Sequence, residues 1–495
     1  MRKRVSFFFC ATLLLPVMAI GANDKLMVCD DVADPMTLDP GKEFSEKNHT
    51  ICQQIFDGLL RFNPEGQMEP ALAVSWNRID PTRMRFKLRQ GVTFHNGEPF
   101  DAEAVKFTIE RLLAPKTGFP GRAFIASISH AEIVDDNAVD IVTRFPDALL
   151  LNRLAALVLI LPPRYIKEKG DSFFAENPIG TGAFMFKKWE KGREIALPAN
   201  PNYWMKGYPR VNELIFKFIP QKDQLDALFS GKIHLLTDLP GDQILTVVKR
   251  PGFTVMKKPA FCAGTFVLKM SSGPLNNLDV RKALNYALDK RALISYDLLG
   301  NGRPIATFSM PGEAGHNPSL RPYEFDLKKA RQLLGKAGYP GGFTLKMLAK
   351  PSMERTTKII AAQFKKLGVN LDITVAPDAA IIGEFASGKY DMGVGDCVDP
   401  MVHSYFVQSI ALHSKSPYSL SGFPGFDAKL EDVASTVDDK LFLEKAQAID
   451  KYIYDNALSI FTYQKFAVCG LRENLRFEPA VTRMPYFYAA HFIGP

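Results

Sequence analysis

The feature that most constrains the fold is an alternation of strand and helix patterns in the second half of the chain. Residues 343–348 (FTLKML) and 369–375 (VNLDITV) read as strands, and a helix pattern from about 353 to 367 lies between them. Such a β-α-β unit makes two parallel strands joined by a right-handed crossover. Two earlier helices are predicted to begin at the N-caps Asp279 and Asp326. This half is therefore predicted to be α/β.

Mixed strands dominate the first half. Residues 26–29 form an apolar strand, and residues 83–89 alternate strictly, as a half-buried strand does. A further strand pattern covers 131–145, and helices are predicted at about 50–60 and after the N-cap Asp101. The 495 residues are enough for two or three cores, and no low-complexity linker separates them. We therefore expect domains joined by crossing strands.

The N-terminus resembles a secretory signal over residues 1–22. Three basic residues precede an apolar run at 5–17, and small residues at 19, 21 and 22 suit cleavage after Gly21 or Ala22. The alternative is an uncleaved anchor, but the run is short for a bilayer and Pro16 breaks it. Without the three basic residues the formal charge of +8 falls to +5, and no basic block indicates nucleic-acid binding. The prediction is export to an oxidising compartment.

Five cysteines follow the predicted cleavage site: Cys29, Cys52, Cys262, Cys397 and Cys469. They form no CxxC pair and no zinc-finger spacing. An odd number in an exported protein predicts one or two disulfides and at least one free thiol. The spacing leaves the pairing open.

No catalytic motif is present in the sequence. It has no HExxH, GxSxG, Walker A or strand-linked GxGxxG pattern, and no two of its eight histidines are spaced i, i+4. We predict no enzyme activity, no metal site and no cofactor. Two alternatives stay open, namely acid–base chemistry by Asp396 and Asp399 and a dispersed Ser/His/Asp triad.

Four segments together resemble one protein family. They are residues 73–105 (AVSW to AEAV), 178–184 (PIGTGAF), 200–209 (NPNYWMKGYP) and 274–286 (PLNNLDVRKALNY). In order and spacing they are similar to segments of the family 5 solute-binding proteins of ABC importers, which include oligopeptide-, dipeptide- and nickel-binding proteins of the periplasm. The resemblance covers essentially the whole predicted mature chain.

The resemblance implies a two-lobed α/β periplasmic binding protein, with two crossing strands as a hinge and the ligand enclosed between the lobes. Lobe I is expected at 23–267 plus 466–495, with an extra subdomain at about 68–195. Lobe II is expected at 268–465.

The resemblance also implies a ligand site. The peptide binders of the family place an aspartate against the ligand's α-amino group, and Asp399 falls on that position. The alternative is that Asp399, which precedes Pro400, is a turn residue. The family pattern further implies a disulfide between Cys262 and Cys397, with Cys29 and Cys469 as possible partners and Cys52 as the candidate free thiol.

The peptide binders run the ligand backbone beside protein strands. The matching residues here are Phe44, Ser45, Glu46, Gly395, Asp396 and Cys397.

Several positions depart from the family pattern. Asp378 and Asp396 stand where the peptide binders have tryptophan, and Ala260 replaces a tyrosine. These departures predict a ligand that is more cationic or polar than those of the peptide binders, although Asp378 is equally explained as a helix N-cap. Lys350 or Arg355 are candidates for the ligand's carboxylate end, or else exposed charges. His403 is a candidate contact for a metal chelate, with a structural histidine as the alternative.

The function implied is capture of a peptide or peptide-like solute and delivery to an ABC permease in the inner membrane, without chemistry. The alternative ligand is a nickel chelate, haem, an opine or a polyamine-like amine. An alternative of a different class is a secreted hydrolase with a dispersed triad. Family members are usually monomeric, so a monomer is expected.

Overall fold

The computed structural model describes residues 25–30, 34–420 and 425–494, so the signal peptide predicted at 1–22 lies outside the described residues. The strands are β1 (Lys25–Cys29), β2 (Leu60–Phe62), β3 (Met68–Pro70), β4 (Ala73–Asp80), β5 (Arg83–Leu88), β6 (Ile128–Asp135), β7 (Ala138–Thr143), β8 (Lys188–Glu190), β9 (Glu194–Pro198), β10 (Glu213–Lys217), β11 (Leu235–Leu236), β12 (Phe253–Leu268), β13 (Gly302–Pro304), β14 (Phe343–Ala349), β15 (Val369–Val375), β16 (Met392–Val398), β17 (Tyr463–Arg472), β18 (Leu475–Arg476) and β19 (His491–Phe492).

The helices are α1 (Glu46–Ile55), α2 (Ala102–Leu113), α3 (Leu150–Leu157), α4 (Pro163–Lys169), α5 (Asp171–Glu176), α6 (Gln224–Phe229), α7 (Ile244–Val248), α8 (Leu278–Ala287), α9 (Lys290–Asp297), α10 (Leu327–Lys336), α11 (Glu354–Phe364), α12 (Asp378–Ala386), α13 (Tyr405–Leu412), α14 (Phe426–Ser435) and α15 (Asp439–Asp455).

One large mixed sheet runs through the molecule in the order β15-β14-β16-β12-β17-β11-β1-β10-β9-β8. The antiparallel pair β12 and β17 lies in its middle and joins strands of the predicted lobe II to strands of the predicted lobe I. The register of this pair shifts between Pro259 and Ala263, and an irregularity of this kind bends a strand. The predicted lobe boundaries fall on these two strands, and their exact positions stay a prediction.

The predicted β-α-β unit is confirmed. β14 and β15 are parallel, with Phe343 opposite Val369, and α11 connects them. β16 lies on the other side of β14, also parallel to it. The inward side chains Leu345 and Met347 are fully buried, as expected for a sheet covered by helices.

The predicted N-caps are confirmed at two positions and wrong at one. Asp101 accepts a hydrogen bond from the Ala104 N–H, and Asp326 caps α10 in the same way. α8, by contrast, begins at Leu278 and is capped by Asn277. A short turn ends just before Asn277 and leaves that residue extended, so its side chain caps the helix and Asp279 lies in the first turn.

The helix predicted at about 50–60 is shifted towards the N-terminus. α1 begins after the N-cap Ser45 and ends at Ile55, because Phe56 is extended. The following leucines, Leu59 and Leu60, are buried on the way into β2 rather than on the helix. An apolar helical spacing therefore continued past the true helix end.

A separate four-stranded antiparallel sheet, ordered β4-β5-β7-β6, lies within the predicted subdomain. β5 buries Met84, Phe86 and Leu88 on one face, as its alternation predicts. The strand pattern at 131–145 belongs to two strands, β6 and β7, which form a hairpin.

The two predicted lobes touch in this structure. The rings of Phe124 and Phe406 lie 4.7 Å apart, and the Asn152 side chain donates to the carbonyl of Met401 at 2.8 Å. The cleft between them is therefore closed on this side. Among the described residues, no helix has the length and apolarity needed to cross a membrane.

Candidate functional site

A cavity of about 290 Å³ lies against the middle of the large sheet, where β12 and β17 pair. We call it the central cavity. Its lining comes from both predicted lobes and from the strands between them: Gln221, Asp238, Leu239, Pro240, Gly241, Cys262, Ala263, Gly264, Asp297, Leu298, Asn301, Ser352, Met353, Arg355, Thr356, Asp396, Tyr463, Lys465, Phe466 and Val468. A movement of one lobe against the other would therefore open or close it.

Charges of both signs line this cavity. The acids are Asp238, Asp297 and Asp396, and the bases are Arg355 and Lys465. An enclosed site with both signs is suited to a ligand that carries an ammonium and a carboxylate, because each buried charge needs a partner.

Hydrogen bonds fix two of the cavity acids. Asp396 accepts from the Ser352 hydroxyl at 2.8 Å. Asp297 accepts from the hydroxyls of Thr356 at 2.6 Å and Tyr463 at 2.9 Å. These bonds hold the carboxylates in position before a ligand arrives, which lowers the entropy cost of binding.

A chain of alternating charges reaches the edge of the cavity from α1. Lys47 lies 3.6 Å from both Asp30 and Glu46, and Glu46 in turn accepts from the Arg483 guanidinium at 3.1 Å. The same guanidinium lies 3.2 Å from Asp238, which lines the cavity. Burial disfavours the charge on Arg483, but the carboxylates of Glu46 and Asp238 outweigh it and raise the pKa of Arg483.

Asp399 does not line the central cavity. It is fully buried, and its two oxygens accept from the backbone N–H groups of Met401 and His403, both at 2.7 Å. These contacts match the turn interpretation of Asp399. Burial raises the pKa of Asp399 to about 7 and the pKa of the adjacent Glu313 well above its ordinary value.

His403 is a buried side chain of the same turn. Its Nδ1 accepts from the Tyr405 N–H at 3.0 Å, and its ring packs on Phe442. Burial lowers the pKa of His403 to about 3, so the ring is neutral at physiological pH. These contacts are those of a structural histidine.

The segment Phe44, Ser45 and Glu46, predicted to run beside the ligand backbone, contributes one residue to the charged region. The Phe44 ring packs edge-on against His49 and Phe119, and the Ser45 hydroxyl accepts from the Asn48 N–H as the cap of α1. Glu46 alone of the three points towards Arg483.

Among the weaker candidates, Arg355 lines the cavity and donates to the carbonyl of Tyr296 at 2.7 Å. Gly395 faces the aliphatic stem of Lys350, since a Cβ there would lie 3.4 Å from it. α12 begins at Asp378 with Pro377 as its cap residue, so the N-cap interpretation of Asp378 is wrong by one position. The side chain of Asp378 lies outside the described residues.

The predicted bridge between Cys262 and Cys397 is absent, which corrects the expectation from the resemblance. Both are free thiols. The register places Cys262 opposite Val398 and Ala263 opposite Cys397, so the two thiols point to opposite faces of the sheet. Cys469 carries a free thiol as well, and Cys52 is a buried free thiol as predicted.

Sequence reasoning missed Asp238, Asp297, Lys465 and Arg483. None belongs to a motif, and isolated charges of this kind usually lie on the surface. Arg483 adopts φ 61°, in the left-handed region that few non-glycine residues occupy, and no sequence pattern signals this. Within the described residues, no group of three or more His, Cys, Asp or Glu side chains is placed to hold a metal ion.

The signature motifs themselves build a different structure. Thr181, Tyr203 and Trp204 all donate to the buried carboxylate of Asp57, at 3.0, 3.1 and 2.9 Å. We call these four residues the Asp57 network. None of them lines the central cavity, so the motifs at 178–184 and 200–209 supply buried polar contacts within the fold.

Comparison with known proteins agrees with this architecture. The family model described as "Bacterial extracellular solute-binding proteins, family 5 Middle" matches residues 67–417. The chain is 27% identical over 469 residues to the probable D,D-dipeptide-binding periplasmic protein DdpA of Escherichia coli K12, covering 91% of this chain and 90% of that protein. It is 28% identical over 363 residues to the glutathione-binding protein GsiB of Pectobacterium atrosepticum, covering 71% and 69%.

The fold is also similar to that of a solved structure. The periplasmic binding protein DppA of Helicobacter pylori, in complex with the peptide STSA, superposes with a TM-score of 0.80 at 23% identity, over 94% of this chain and 98% of that chain. This likeness confirms the predicted two-lobed α/β architecture.

Proposed function

The chain belongs to the family 5 bacterial extracellular solute-binding proteins, and from that premise we propose that it captures a peptide-like solute for an ABC importer. The receptor acts in the periplasm after export, holds the solute in the central cavity, and delivers it to the permease unchanged. The observation that carries this proposal is a cavity lined by both lobes with fixed charges of both signs.

The size of the cavity favours a short ligand. Its volume of about 290 Å³ lies at the lower end of small-molecule sites, which span about 300–1,000 Å³. We propose a dipeptide-sized zwitterion, with Asp396 as the partner of its ammonium and Arg355 or Lys465 as the partner of its carboxylate. The similarity to a probable D,D-dipeptide-binding protein and to a glutathione-binding protein supports this class.

Asp396 replaces Asp399 as the amine partner in this proposal. Asp396 is half-buried at the cavity wall and accepts one hydrogen bond from a side chain. Asp399 is fully buried with both oxygens already bonded to backbone N–H groups. A ligand ammonium therefore meets Asp396 without breaking a turn.

Native mass spectrometry of the protein purified from its own periplasm tests the ligand class. We expect adduct masses of short peptides, and recovery of the peptide intact. A single non-peptide mass or a metal isotope pattern would instead favour the chelate, opine or amine alternatives. Shortened peptide products accumulating with time would favour the hydrolase.

Calorimetric titration with alanylalanine tests the site. Asp396→Asn is expected to weaken binding by at least about tenfold, because one charge-assisted bond is lost. Asp372→Asn is the matched control, since Asp372 is exposed on β15. The placement of the site is wrong if both variants bind as the wild type does.

A further inference from the structure

Arg483 is held where the cavity meets the charged chain from α1. Its guanidinium touches Glu46 and Asp238 of lobe I and approaches the Cys262 sulfur at 4.0 Å. Cys262 and Asp238 both line the central cavity, whereas Arg483 itself lies just behind that lining. The carboxylate of Asp396, on lobe II, is also within electrostatic range of the guanidinium.

The position of Arg483 is strongly determined by its surroundings. The side chain is 9% exposed, and its backbone is left-handed at φ 61°. A non-glycine residue in this region is strained and persists only where its neighbours hold it. The ion pairs with Glu46 and Asp238 and a backbone hydrogen bond to the Ala480 carbonyl are among the contacts of this residue.

The charge of Arg483 offsets the acids of this region. Without it, Glu46 would keep Lys47 as a partner, at 3.6 Å, but Asp238 would lose its nearest cation and keep only the weaker influence of Lys465 and Lys47. Asp238 is the accessible member of the set, with a side chain 50% exposed. Because unit charges a few ångströms apart at a protein surface interact appreciably, the charge of Asp238 is expected to alter ligand selection by about tenfold.

We propose that Arg483 is a positioning residue that neutralises Asp238 and so sets the charge selectivity of the central cavity against cationic side chains of the ligand. The inference rests on the proposed function, because it concerns a peptide-like ligand in that cavity. In this proposal the ion pair between Arg483 and Asp238 sets the preference from the edge of the cavity. Arg483 itself makes no direct bond to the ligand.

Titration with Ala-Ala, Ala-Asp and Ala-Lys measures the selectivity. The readout is the ratio of the Kd for Ala-Lys to the Kd for Ala-Ala, which a purely structural role of Arg483 would leave unchanged. In Arg483→Gln we expect this ratio to fall by about tenfold, and the affinity for Ala-Asp to weaken. Arg483→Lys restores the charge and is expected to keep the wild-type ratio. Arg476→Gln is the matched control, because Arg476 is an exposed arginine of β18.

Asp238→Asn provides the opposite test. Removing this carboxylate leaves Arg483 in excess, so the ratio is expected to rise. Because Asp238 is half-exposed, this variant decides the question even if Arg483→Gln does not fold. An unchanged ratio in the folded variants overturns the inference while the proposed function stands. If the wild type binds none of the three dipeptides, the proposed function fails, and the inference with it.

Discussion

The Asp57 network and the central cavity differ in how their polar groups are used. In the network, one buried carboxylate is satisfied by three side-chain donors that all come from the predicted lobe I. In the cavity, the carboxylates and cations come from both predicted lobes and from the strands between them, and Asp238 is half-exposed. The first arrangement is complete without a ligand, and the second leaves charge available for one.

The residues that identify the family are therefore different from the residues that are placed to select the ligand. Two of the four motifs that make the chain recognisable supply the donors of the Asp57 network, and none of the four contributes to the cavity lining. The selectivity of the protein is therefore carried by residues outside the motifs. Variants in one region should change stability and leave selectivity, and variants in the other should do the reverse.

Asp57→Ala is expected to have the largest effect on stability. Burial raises the pKa of Asp57, while three hydrogen bonds oppose that shift and stabilise the carboxylate. The alanine variant leaves three buried donors without an acceptor, at about 1–3 kcal/mol each. We expect a loss of about 3–5 kcal/mol, seen as a lower midpoint in scanning calorimetry.

Asp57→Asn is the conservative control, since its amide oxygen still accepts, and it should lose less. The alanylalanine affinity and the Ala-Lys to Ala-Ala ratio should be unchanged in the folded protein. A tenfold change in affinity with an unaltered midpoint would show that the two regions are not separable.

Glu313→Gln is expected to have a smaller effect, and one that depends on pH. Glu313 and Asp399 are buried side by side, Asp450 lies near them, and burial raises the pKa of all three. An acid with a raised folded pKa stays protonated longer in the folded state, so stability falls as pH rises from about 4 towards 7. The glutamine removes one of these acids and is able to donate to Asp399.

The expected result is that Glu313→Gln gains about 1–2 kcal/mol over the wild type between pH 5 and pH 8. Calorimetric midpoints across this range measure it, with Glu324→Gln as the control, because Glu324 is exposed. Parallel curves for the wild type and Glu313→Gln would mean that the pair does not exchange protons in this range.

Local patterns in the sequence were sufficient for much of the fold. The alternation in β5 and the strand-helix-strand pattern of β14, α11 and β15 follow from side-chain periodicity, which is a local property. The boundary errors have local causes: α1 ends because Phe56 is extended, and a short turn before Asn277 decides where α8 begins. The helix propensities of the residues do not reveal such an effect of the neighbouring segment.

The cavity was less accessible to sequence reasoning because it is assembled from distant segments. Asp238, Asp396, Lys465 and Arg483 belong to four parts of the chain that only the sheet order brings together. A match to a family position placed Asp399 in the ligand site, but it did not reveal that two backbone N–H groups occupy its oxygens. Whether a buried polar side chain already has hydrogen-bond partners depends on tertiary contacts, which the sequence does not show.

The cysteines offer the smallest expected effect. Cys262 and Cys397 lie on neighbouring strands beside the cavity but on opposite faces, and no disulfide joins them. Burial raises the pKa of Cys262 to about 11, so its thiol is protonated and poorly reactive at neutral pH. We expect dithiothreitol to leave the unfolding midpoint unchanged, and iodoacetamide to label five thiols after denaturation without reductant. Labelling of only three thiols would show a disulfide, and repeating the labelling with Cys262→Ser and with Cys397→Ser would show whether these two cysteines form it.

Such a bridge would require the strands to shift register by one residue, which would move Asp396 to the other face of β16 and away from the cavity. Five labelled thiols would support both the register and the position of Asp396 from a measurement that involves no ligand.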